Sequence, residues 1–264
     1  MKPPSPLRKT TILGAALALV VSASAATVDW NAGSWDNGSG FNTGYDNGAA
    51  NGSTVLTGPD FGLGITVNVN YALIGTTVAG ASGGNGNVDT TLNGSTLDPS
   101  FHIQTQTDGN GVIGNPLVNY AVLTFNFSGN VQSNGSAVFT VYDIDKNLFS
   151  EFVTIEARSG GSGGTLRTVS YTTSAANTLA TQYSQAGVLA TGNAGNSSDD
   201  GNSLFSIAGN FDYIRLIFAQ QEGNSGIDHG IGISDLTVVP EPSALALAGL
   251  GIAFAAGRRV RRQS

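Results

Sequence analysis

Cysteine is absent from the 264 residues, so disulfides, thiolate metal sites and thiol nucleophiles are all excluded. Charge is scarce too, with only 11% of positions Asp, Glu, Lys or Arg, against roughly a quarter in an average globular chain. Histidine occurs only as His102 and His229; no G-x-S-x-G stands at a strand-to-helix elbow and H-E-x-x-H is absent, which leaves no serine-hydrolase elbow and no zincin motif. Basic residues nearly vanish from the middle. Positions 26–239 hold Lys146, Arg158, Arg167 and Arg215 against 17 acids, a net charge of −13. Such a body is repelled by phosphate backbones, so no nucleic acid is expected as a partner. Solubility and divalent-cation binding are the uses left for its acidity.

What the chain holds in quantity is glycine, 37 residues, with much Asn, Ser and Thr. Gly and Asn tolerate φ > 0, which favours tight turns between short strands. A hydrophobic fraction of 40% is enough for a core. Strict alternation predicts a strand at 65–71 and another at 117–127, with Leu117, Ala121, Leu123, Phe125 and Phe127 on one face. Residues 137–144, 151–157, 166–171, 213–218 and 231–239 read as further strands. The Gly-rich 160–164 reads as a hairpin turn, 75–100 as a long loop, and 174–203 as weakly patterned. No amphipathic helices stand between these runs. The pattern predicts an all-β fold, a single antiparallel β-sandwich (jelly-roll-like) over 26–239.

The two ends differ from this body. Lys2, Arg8 and Lys9 precede an apolar run at 12–21. Ala23-Ser24-Ala25 then offers a small-residue site with cleavage expected before Ala26. That is the pattern of a signal peptide, a signal helix at 1–25. At the other end, Pro240-Glu241-Pro242 leads into an uncharged stretch at 243–257, followed by Arg258, Arg259, Arg261 and Arg262. The prolines end strand pairing. A helix over 243–257 extends about 22 Å at 1.5 Å per residue, short of a bilayer core of about 30 Å. A short transmembrane helix is therefore expected, and a weak anchor. The arginines hold the C-terminus in the cytoplasm and leave the body outside.

This order of parts at 240–264 resembles the PEP-CTERM sorting signal. The resemblance implies passage through the Sec export machinery and processing near Pro240-Glu241-Pro242 by an exosortase. It also implies a transient stay in the inner membrane, held by the C-terminal helix. The destination it implies is the cell envelope, cell surface or extracellular matrix of a Gram-negative bacterium that makes exopolysaccharide. Such tails are attached to many unrelated bodies, so the resemblance is silent on what the body does.

Within the body, the candidate metal residues are Asp143, Asp145 and Glu151, with Asn147 between them. On a strand, Asp143 and Asp145 share a face. Carboxylates held close repel unless a proton or cation intervenes, and hard oxygen ligands suit calcium. The same residues also fit a solvated strand end with Lys146 as ion-pair partner. An EF-hand is excluded, since the loop lacks Gly at its sixth position and Glu at its twelfth. A D-x-D pair, a loop and then Val153-Thr154-Ile155-Glu156-Ala157 is similar to lectin-like extracellular β-sandwiches, which implies binding of extracellular polysaccharide. Asp199-Asp200-Gly201-Asn202 is a second acidic group that also reads as turn chemistry. Trp30, Trp35, Phe41 and Tyr45 either stack on sugar rings or pack in the core. His229 reads as a loop residue ahead of the last strand. The expectation is a non-enzymatic binding or structural module. The competing reading, a secreted glycan-active hydrolase, needs two carboxylates facing a cleft.

Overall fold

The computed structural model describes residues 26–30, 34–36, 51–55, 65–74, 78–79, 87–89, 100–106, 120–131, 136–146, 150–174, 177–182, 185–190, 201–221 and 228–239. The expected signal helix at 1–25 and the expected C-terminal helix and arginine cluster within 240–264 lie outside the described residues, as do Asn147, Asp199, Asp200, Phe41 and Tyr45.

Among the described residues the regular structure is all β. The strands are β1 (Ala26–Val28), β2 (Ser34–Asp36), β3 (Asn51–Val55), β4 (Thr66–Ile74), β5 (Val78–Ala79) and β6 (Asn87–Asp89). They continue with β7 (Ser100–Gln106), β8 (Tyr120–Val131), β9 (Ser136–Tyr142), β10 (Ser150–Ser159), β11 (Thr165–Leu166) and β12 (Val169–Thr173). Last come β13 (Asn177–Gln182), β14 (Gln185–Ala190), β15 (Ser203–Ala208), β16 (Phe211–Gln221), β17 (Asp228–Ile233) and β18 (Leu236–Val239).

They form two antiparallel sheets. One runs β13-β14-β10-β16-β8-β4-β3-β2, with β11 also on β10. The other centres on β9, flanked by β15 and then β12 on one side and by β17 and β18 on the other. There β7 lies beyond β17, and β1 beyond β18. From β7 to β10 each strand crosses to the opposite sheet, and β15, β16 and β17 do so again.

Alternation explains the central strands. Along β8 the even positions are half-buried or exposed, while Ala121, Leu123, Phe125 and Phe127 are buried. Phe101, Ile103, Phe139, Val141, Ile231 and Ile233 of the β9 sheet join them in one apolar core. Rings meet across the sheets, with Trp30 6.0 Å from Phe125 and Tyr71 6.2 Å from Phe101 between centroids.

Several expectations are corrected. The run at 166–171 is two strands in different sheets: β11 pairs with β10 and β12 with β15, and the Arg167 N–H bonds Ala157 O as the chain crosses over. The run at 231–239 is also two strands. β17 pairs Ile233 with Val141 while β18 pairs Thr237 with Val138, so one extra residue is accommodated in a bulge. There Ser234 N–H bonds Thr140 O, and Ser234 Oγ accepts from Thr140 N–H. The expected loop at 75–100 contains β5 and β6, and 174–203 contains the hairpin β13–β14. His229 lies within β17, paired with Thr105, rather than in a loop. The turn at 160–164 stands as expected. Gly160 and Gly161 take φ of 95° and 71°, and their N–H groups donate to the Asp212 carboxylate.

A candidate cation site between the sheets

β9 ends at Tyr142 because Asp143 takes φ of 63°, a left-handed conformation that breaks the ladder and turns the chain. Asp143 and Asp145 are therefore not alternate residues of one strand face, as the spacing predicted. They sit in the turn that carries the chain from β9 to β10, across the sheets. The turn is closed on itself: Asp145 N–H donates to Glu151 Oε2 at 3.0 Å, and Glu151 N–H donates to Asp145 O at 3.1 Å. Lys146 and Ser150 form a bridge inside this pair.

A second segment backs the turn. Ile144 N–H bonds Gly201 O at 3.1 Å, Asp143 N–H reaches Asn202 Oδ1 at 3.3 Å, and Asn177 Nδ2 donates to both Gly201 O and Ser203 Oγ. Gly201 suits this approach, since a Cβ there would lie a tight 3.1 Å from both Ile144 N and Ile144 O.

Asp143, Asp145 and Glu151 are only 3%, 2% and 1% exposed, which rules out the solvated strand end. Glu151 shares the inward face of β10 with Val153, Ile155 and Ala157. A backbone hydrogen bond from Gly230 of β17 in the opposite sheet also reaches its carboxylate. Burial raises the Asp145 pKa to about 7, with the Asp143 charge adding to it. Burial also holds Glu151 well above the usual carboxylate range, and the Asp145 charge pushes the same way. Both Oδ atoms of Asp145 are buried without a hydrogen-bond partner, and so is Asn177 Oδ1. The structure thus brings Asp145 and Glu151 together, with Asp143 close enough for its charge to act on both. Among the described residues, no three Asp, Glu or His side chains form a ready metal cage.

Asn177, Gly201, Asn202 and Gly230 belong to this site, and sequence spacing did not find them as a group. The only signal was the turn-like Gly201-Asn202. Trp30 is no sugar platform. It is fully buried, tilted against Phe101 at 4.9 Å, and its Nε1–H donates to Ser234 O at 2.9 Å.

The opposite face of β10 holds a contrasting acid. Glu156 is ion-paired with Arg158 and with Arg215, the latter at 2.8 Å, and Arg158 Nη1 also donates to Gly164 O.

No curated protein and no solved structure matches the chain. Residues 238–262 match the family model of the PEP-CTERM protein-sorting motif, which begins inside β18 and runs through Pro240-Glu241-Pro242 and the arginine cluster. The chain is thereby an exported, membrane-transiting protein that carries the sorting signal read by exosortase.

Proposed function

We propose that this protein is a non-enzymatic binding or structural module of the cell envelope or extracellular matrix, delivered there by its sorting tail. In this reading 1–25 is a signal peptide cleaved before Ala26, 26–239 is a jelly-roll-like sandwich, and 240–264 is the tail removed by exosortase. The observation that carries it is the motif match at 238–262, directly continuous with the last strand. The β1–β18 ladder supports it, because Ala26 pairs with Val238. The expected start of the mature chain therefore lies beside the point where the body hands over to Pro240. Both processing points then emerge at one corner of the domain, facing the same membrane.

Burial of the acids supports a binding or structural role over glycan hydrolysis. A hydrolytic pair must meet its substrate in a cleft, whereas Asp145 and Glu151 are enclosed between the sheets. Extracellular polysaccharide is the ligand class that the destination favours. Deleting 240–264 is expected to move the protein out of envelope fractions into the soluble periplasmic pool, and unchanged fractionation overturns the sorting role. A glycan array run beside a reducing-end release assay tests the rest. Binding without turnover is expected, and turnover would replace this reading with the hydrolase.

A further inference from the structure

We propose that the turn 143–151 is a calcium site, with the carboxylates of Asp145 and Glu151 as its anionic ligands and Asp143 adding negative charge beside them. The inference is independent of the sorting role. Its first support is Asp145 itself. Both carboxylate oxygens are buried and without a hydrogen-bond partner, whereas buried polar groups are ordinarily paired. A carboxylate enclosed in this way needs either a proton or a cation.

The second support is the arrangement of charge. Glu151 is held against Asp145 through the Asp145 N–H. Among the described residues, Asp143 acts on both carboxylates and Asp145 acts on Glu151, all charges of one sign. Lys146, the basic residue nearest in sequence, is exposed, and Arg158 and Arg215 are committed to Glu156 on the other face of β10.

The third support lies across the turn. Asn177 Oδ1 is a further buried oxygen without a partner, and its amide is tied to the turn through Gly201 O. Calcium takes six to eight oxygen ligands in flexible geometry and readily uses main-chain and amide carbonyls. Two carboxylates with additional neutral oxygens suit it better than magnesium, which demands a tight octahedron and keeps its water.

The test is a thermal melt of the purified full chain at pH 8 and pH 5, in chelator, in about 5 mM calcium and in about 5 mM magnesium. Affinities of extracellular calcium modules lie near 10⁻⁴–10⁻³ M. Calcium at pH 8 should then raise the folded-to-unfolded ratio about 6- to 50-fold, a Tm increase of several degrees. At pH 5, where protons compete for the same oxygens, the increase should shrink, and magnesium should give less than calcium. Asp145→Asn should abolish the calcium response, and if that variant does not fold, Glu151→Gln takes its place. Equilibrium dialysis with radioactive calcium should give one ion per wild-type chain. No calcium shift at pH 8 overturns the proposal and leaves a shared proton between the carboxylates. An undiminished shift in both variants also overturns it, placing the ion elsewhere. An equal response to magnesium overturns the choice of metal.

Discussion

Glu151 and Glu156 stand five residues apart on the same strand, both nearly fully buried, yet they meet opposite surroundings. An odd spacing puts them on opposite faces of the sheet. Glu156 faces outward and finds two guanidinium groups. Glu151 faces the other sheet and finds Asp145 and Asp143. The protein has four basic residues in its body and spends two of them on one glutamate while leaving the other among acids. Burial of a carboxylate is tolerated at both places, but only at Glu156 does the chain supply the counter-charge itself. The inner pair of Asp145 and Glu151 has no counter-charge among the described residues, which is the ground of the calcium proposal.

This contrast can be broken in four ways. The largest effect should come from removing both Arg158 and Arg215 by alanine substitution. Glu156 would then be a buried carboxylate stripped of both its counter-charges, at a cost of about 2–4 kcal/mol, discounted because the arginines are partly exposed. The urea midpoint reads it directly, and a midpoint unchanged from wild type would erase the distinction between the two acids.

Next is pH. The folded pKa of Asp145 lies at about 7, above its unfolded value near 3.9. The protonated form is therefore favoured by folding, and that stability is fully present below about pH 4 and lost as pH rises through 7. In chelator, stability should fall by about 2–3 kcal/mol between pH 5 and pH 8. Asp145→Asn should flatten the fall, whereas a profile rising over this range would contradict the inner cluster as drawn.

Glu156→Gln removes one charge from the outer network and should cost about 1–2 kcal/mol at neutral pH. Asp145→Asn in chelator at pH 8 should be neutral or stabilising, because it removes a like-charge repulsion. Opposite signs for these two amide substitutions are the signature of the comparison. The smallest effect is expected for Gly201→Ala, about 1 kcal/mol. The added Cβ would press on Ile144 and loosen the support of the turn, which should also weaken its response to calcium.

Alternation made β4 and β8 readable, since each has one face in the core and one toward solvent. It failed where that condition failed. β10 is buried on both faces, so its outer acid Glu156 could not be told from its inner acid Glu151 by pattern. The hairpin β13–β14 carries Thr, Ala and Gln and leaves Leu179 exposed, so no apolar period marks it. The crossover at Arg167 and the bulge at Ser234 interrupt runs that look continuous in one dimension. For the site, the clustering of Asp143, Asp145 and Glu151 was legible as composition. The left-handed turn at Asp143 was not, because the contacts that brace it come from Gly201 and Asn202, roughly 60 residues later in the chain. Trp30 was ambiguous for a similar reason: its indole partner Ser234 lies 204 positions away.

In the proposed role the body is cargo, delivered by processing at its two ends, which β1 and β18 bring together. Intact-mass measurement of the protein extracted from the bacterial envelope tests it most directly. The account predicts a chain beginning at Ala26 and ending near Pro240, with the arginine cluster gone. Recovery of the uncut 264-residue chain from the cytosol would contradict it.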